Sequence, residues 1–223
     1  MENNEQMPAE VGGEAKPLKK GSKKMGAVVT AIVLLLVIVG GVAGVMWEVT
    51  VKHASGAAIR KISELLPIPA ARVGGKTILY REYLKSRDTL ITFLNSDAAK
   101  TQGINTKLDT DMEKNVLEKL VNQAALEELA EQKKITVNDE ELRAFFADVV
   151  AAASTTTPDV GVYLLKNFGW DEENFRQEVL KPALLEQHVG IALAQEKQGD
   201  PNALQTYMTD RLSKPDVVRY LRF

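Results

Sequence analysis

Hydrophobic and polar positions divide the 223-residue chain into three regimes. Residues 1–24 are polar, acidic at first and then basic, with too few apolar side chains to offset the entropy of ordering. That tail is expected to be disordered. From Met25 to Trp47 run 23 residues without a charge, long enough as a helix to cross a hydrocarbon core about 30 Å thick. From Glu48 onward, apolar residues recur at helical spacing between clear stop and start signals.

Residues 48–68 read as a connector, with Ile59, Ile62, Leu65 and Leu66 forming a short amphipathic helix. Pro67 and Pro69 stop it, since neither donates a backbone hydrogen bond. Residues 69–223 read as one helical domain. Val73 and Ile78 flank Gly74-Gly75, a pair that tolerates the positive φ of a tight turn, so a β-hairpin is predicted over 71–79. A helix is predicted from Tyr80 to Asn95, then a polar loop to Lys107. Thr110-x-x-Glu113 reads as a capping box for the next helix, which carries Val116, Leu117, Leu120 and Val121 on one face. Asn138 is the predicted cap of a third helix bearing Leu142, Phe145 and Phe146. A short helix from Asp159 to Phe168 ends at Gly169, and Asp171 opens a longer one that Pro182 should kink. Asp200-Pro201 should open the last helix. Val217 to Phe223 alternates like a strand and needs a partner, for which the 71–79 hairpin is the candidate. The fold class is therefore mainly α with a small antiparallel sheet.

Charge sets the expected topology. Lys16, Lys19, Lys20, Lys23 and Lys24 precede the uncharged stretch, while only Glu48 and Lys52 closely follow it. The positive-inside rule then keeps the tail in the cytoplasm and exports everything after Trp47, giving a single-pass protein of the cytoplasmic membrane held in the lipid bilayer by residues 25–47. A cleaved signal peptide is the competing reading. It would have a shorter apolar region and a following Ala-x-Ala site, and neither is present.

Composition removes several chemistries. With no cysteine there is neither a disulfide nor a thiol nucleophile, and His53 and His188 are too few for a zinc site. From Glu48 onward there are 23 basic and 26 acidic residues without a basic patch, so nucleic acid is not an expected partner. The triplets Asp139-Glu140-Glu141 and Asp171-Glu172-Glu173 fall in first helical turns, where the dipole favours negative charge; capping explains them without catalysis. No nucleophile elbow or phosphate-binding glycine loop occurs, and no cofactor is expected. His188 reads as a histidine at the edge of the core. Phe145, Phe146, Tyr163, Phe168 and Trp170 are the candidates for a client-binding groove, set against the default that aromatics at helical spacing are buried.

Four segments carry a family resemblance. PAARVGGKTILYREYL resembles the opening of SurA-type and PrsA-type chaperones, and VLEKLVNQAALEELAEQKKITVNDEELRAFF resembles their long helix and the start of the next. FGWDEENFRQEVLKPALLEQHV is similar to the element after it, and DVVRYLRF to the closing strand. The resemblance spans Pro69 to Phe223 and implies the SurA N-terminal, trigger-factor-like helical fold. In enzyme members a parvulin-type prolyl isomerase domain precedes the closing helix. Here only Gln195 to Asp200 fill that place, so isomerase activity is not carried over. Joined to the predicted anchor and its orientation, the chaperone fold that the resemblance implies gives the expectation of a membrane-tethered, extracytoplasmic holdase that binds unfolded exported polypeptides without nucleotide or catalysis. A structural or adaptor subunit with one folded partner is the alternative from another class, and a peptidyl-prolyl isomerase relative the more distant one.

Overall fold

The computed structural model describes residues 45–153 and 159–223. The span predicted over 25–47 lies outside the described residues up to residue 44, as does the tail. No helix among the described residues is long and apolar enough to cross a membrane. Gly44 to Phe223 forms one compact unit. It opens with helix α1 (45–52), so the last three positions of the predicted span lie in this unit. Val49 is fully buried there, with Val45 and Met46 packed on the same core, while Trp47 is 60% exposed.

Helix α2 (Ala57–Leu65) turns Ile59 and Ile62 onto that core, so the 48–68 segment is built into the fold. The predicted stripe does not hold to its end. Leu65 points away, and Leu66 lies beyond the helix in extended backbone, so both are bare. Strands β1 (Pro69–Val73) and β2 (Lys76–Leu79) then form the hairpin, two residues longer at its start than predicted. Gly74 takes a φ of 56°, the left-handed conformation its turn requires.

Helix α3 (Tyr80–Asn95) follows as predicted. The expected polar loop contains a short helix, α4 (Asp97–Thr101), because the Ser96 hydroxyl accepts a hydrogen bond from the Ala99 N–H and caps it. The long helix α5 (Thr110–Lys133) is capped one residue earlier than predicted, by Asp109, whose carboxylate accepts from the Met112 N–H at 2.8 Å. Asn138 caps α6 (Asp139–Ala153) and Asp171 caps α8 (Glu172–Phe175), as predicted, while Asp159, predicted as the first residue of α7 (Val160–Phe168), is its cap.

Pro182 acts differently from a simple kink. It has no N–H for the carbonyl four residues back, and the preceding turn, Arg176–Leu180, is wound as a π-helix in which the Lys181 N–H reaches the Arg176 carbonyl. Helix α9 (Lys181–Glu196) continues beyond it. Residues 197–202 join it to α10 (Ala203–Leu212), which starts later than predicted because Asp200 caps only a turn, accepting from the Asn202 N–H.

Strand β3 (Val217–Arg219) closes the sheet in the order β2–β1–β3, antiparallel throughout. Ala71, Arg72 and Val73 face Arg219, Val218 and Val217. The strand is shorter than the predicted 217–223. A bulge between Pro69 and Ala71 breaks the register, and the Tyr220 and Leu221 N–H groups both converge on the Ala70 carbonyl. Leu221 then turns inward, with 4% exposure.

The main core beneath this sheet joins Val49, Val73, Tyr80, Tyr83, Leu117 and Val121. Smaller clusters follow under α9 and α10, around Leu129, Val189 and Leu193, and under α6, around Leu142, Leu180 and Leu184. Arg211 clasps the closing strand. Its guanidinium donates to Glu128 on α5 at 2.7 Å and to both oxygens of Asp216 at 3.0 and 3.2 Å. The bare Cα of Gly74 makes room for it: a Cβ there would lie 2.7 Å from the Glu128 carboxylate and 2.8 Å from the guanidinium.

Two outcomes follow from this packing. Gly74→Val should cost about 2 kcal/mol or more, since a left-handed φ alone costs a side-chain-bearing residue roughly 1–2 kcal/mol. Gly75→Ala meets open space and should stay within about 0.5 kcal/mol, both values being read from urea unfolding. The second outcome concerns the buried tyrosines. Burial pushes Tyr80 up to about 12 and raises Tyr83 further, with the Glu113 carboxylate adding to the Tyr83 shift and Arg87 opposing it. Such groups stabilise the fold below their unfolded value, and that contribution is lost as pH rises through the folded one. Among the described residues the Tyr83 hydroxyl has no partner in good hydrogen-bond geometry, Arg87 acting on it only weakly. Tyr83→Phe is therefore expected to be neutral or stabilising by up to about 1 kcal/mol near pH 7, and to flatten the loss of stability above pH 10 in an alkaline unfolding series.

Candidate functional site

A groove of about 400 Å³ opens between α3, α5 and the segment from α7 to the π-turn. Leu90 and Phe93 of α3 form one wall, Met112 and Val116 of α5 another, and Phe168 and Trp170 the third. Gly169 makes the third wall possible. Its φ of 72° ends α7 and reverses the chain, so that Phe168 and Trp170 stack on each other at 5.3 Å. Phe168 also lies parallel to Phe93, with ring centroids 5.2 Å apart and planes within 2°. Three offset rings thus form one apolar surface.

The rim is charged. Lys85 on α3 donates to Glu178 on the π-turn at 2.5 Å, across the groove, and both side chains are substantially exposed. Lys119 and Glu178 also line a second hollow of about 740 Å³, edged by Leu126, Val179, Leu204 and Met208. The two hollows therefore share a border and run on as a trough along α5.

The structure sorts the five predicted aromatics. Phe168 and Trp170 line the groove. Tyr163 meets Phe168 edge-on at 6.3 Å but lies outside it, exposed on α7 beside a shallow hollow with Lys166 and Asp97. Phe145 and Phe146 do not line the groove. They pack with Leu142 and Leu180, and Phe146 is covered by the Arg176 guanidinium at 5.4 Å. Phe175 links the two sets, 6.3 Å from Trp170 and 6.4 Å from Phe146. The default of burial also fails for all five: four are half-buried and Tyr163 is exposed. Sequence reasoning missed Phe93. It sits among Leu90, Ile91 and Leu94, and nothing in that run separates a groove residue from a core residue.

The acidic triplets have structural partners. Asp139 and Glu141 follow the Asn138 cap, and Glu141 pairs with His188 at 2.7 Å. His188 thus has a specific partner from α6, which its own helix gave no means of identifying. Glu173 is held below its usual value by hydrogen bonds from Gln177 and Arg176. Asp97 is likewise lowered by its bond to Lys166, which ties α4 to α7. Among the described residues no cluster of His, Asp and Glu is arranged to hold a metal ion.

The described residues thus form a helical domain closed by a three-stranded sheet, with an open trough walled by aromatic rings. The model of the SurA-like N-terminal domain matches residues 18–190, and the chain belongs to that family. The family is one of chaperone-like, polypeptide-binding domains. No curated protein and no solved structure matches the chain significantly.

The stacked wall yields a measurable coupling. Phe93→Ala and Phe168→Ala, singly and together, should give a double-mutant coupling energy of about 0.5–1.5 kcal/mol in denaturant unfolding. Phe93 paired with Phe145 in the same cycle should show none.

Proposed function

We propose that this SurA-like chain is a membrane-tethered, extracytoplasmic holdase that binds unfolded exported polypeptides without nucleotide, cofactor or catalysis. The observation that carries this reading is the groove, whose aromatic wall stays half-exposed where a finished core would have closed over it. Polypeptide binding in the family supports the partner class. Shape supports the kind of ligand: a trough with an apolar wall and charged rim suits an extended chain, with side chains seated in turn and backbone left to water.

The topology belongs to the same proposal. Twenty uncharged residues, 25–44, lead into α1, and five lysines stand before them. Moving such charges through a bilayer costs roughly 2.5–3.5 kcal/mol each on insertion scales, so the tail is assigned to the cytoplasm and Gly44–Phe223 to the far side.

Full-length protein in lipid nanodiscs should suppress aggregation of several unrelated denatured proteins. The Phe168→Ala/Trp170→Ala variant should lose several-fold of that activity, and Phe145→Ala should keep it. Activity confined to one folded partner, captured by crosslinking in cells, would replace the holdase with a dedicated adaptor. In spheroplasts, external protease should digest the domain and spare the tail; a fully resistant domain would overturn the assigned orientation.

A further inference from the structure

Trp47, Val51, Leu65, Leu66 and Phe223 are among the large apolar side chains left exposed, with Leu65 bare to 82%. They sit on three segments that hydrogen bonds draw together. The Arg222 N–H donates to the Thr50 carbonyl at 3.0 Å, which brings the chain beyond β3 to α1. The Tyr220 and Leu221 N–H groups donate to Ala70, just past the Leu66–Ile68 turn. Phe223 lies 4.3 Å from the His53 ring at the end of α1. Trp47 and Val51 are one helical turn apart and share a face. Lys52, Lys61 and Arg222, all exposed, stand on the same segments, with Glu48 paired to Lys52 at 2.6 Å and Glu64 exposed beside Leu65.

What covers this rim follows from the chain that leads into it. The twenty uncharged residues 25–44 end one position before Val45, and Trp47 follows only three positions after Gly44 in the chain. We propose that the rim formed by α1, the Leu65–Leu66 end of α2 and Phe223 docks on the lipid bilayer surface, at the level of the headgroups. This rests on the membrane-anchored reading above. Tryptophan is at home at that depth, leucine and phenylalanine dip below it, and the lysines reach up to phosphate. Anchor and rim together hold the domain in one orientation on the membrane, so that its groove is presented at a fixed height.

The absence of cysteine makes the test direct, since any introduced thiol is the sole labelling site. Full-length Leu65→Cys, Leu66→Cys and Ile191→Cys variants, each labelled with an environment-sensitive fluorophore, are reconstituted in vesicles of phosphatidylethanolamine and phosphatidylglycerol containing a nitroxide-bearing lipid. Ile191 on α9 is also exposed and lies outside the three segments. Positions 65 and 66 should be quenched several-fold more than position 191. Native Trp47 emission, read in a Trp170→Phe chain without any label, should be quenched as well. If the protein floats with the vesicles after alkaline extraction but 65 and 66 behave like 191, lipid docking is overturned while the anchor stands. Protein released by that extraction overturns both. Blue-shifted emission at 65 and 66 without lipid quenching assigns the rim to a protein surface and overturns docking on lipid.

Discussion

Arg211 carries a charge in a place with little solvent, its side chain being 10% exposed, and three parts of the chain are arranged around that fact. Glu128 of α5 and Asp216 before β3 supply the opposing charges, and the hairpin turn supplies the space. The hydrogen bond it donates to Glu128 raises the guanidinium above its ordinary value, with Asp216 adding to it. Glu128 is a quarter exposed and Asp216 half exposed, so solvent screens both pairs and each contributes at most about 1 kcal/mol. The pair therefore acts chiefly on geometry: it fixes where β3 begins, and so which residues of β1 are paired on both edges. With Ala71 and Val73 fully buried, those backbone groups have no water to turn to.

The groove inherits its shape from the same frame. Helices α3 and α5 leave the sheet and the main core, and α7 packs back onto α3 through Phe93 and Phe168. The π-turn completes the enclosure by setting Glu178 opposite Lys85 while sending Leu180 into the third cluster, at 4% exposure. One local irregularity thus serves two neighbours that a regular helix would have to serve from a different register.

Local signals in the sequence were good guides to local structure. Gly74-Gly75 marks the hairpin, Asn138, Asp159 and Asp171 mark helix starts, and alternation from Val217 marks a strand whose partner follows from its need for one. What escaped were choices settled between distant segments. Asp109 and Thr110 are both competent caps, and only the geometry of the arriving loop selects the first. The π-turn needs the Pro182 defect and the packing of Leu180 together. The separation of Phe168 and Trp170 from Phe145 and Phe146 depends on which rings find Phe93 and which find Leu142, and neither contact has a local signature.

The pairing of β1 with β3 joins residues from opposite ends of the folded unit, since Ala71 faces Arg219. A contact so distant along the chain forms late, because the loop must be closed before the pairing can reward it. During synthesis, β1 and β2 emerge early and wait with an unpaired edge until α5, α9 and α10 have followed. A segment with a free edge and apolar residues such as Val73 is itself in the condition of an unfinished client. The order in which this chain appears thus leaves it, for a time, with an open sheet edge that any other unpaired strand could join.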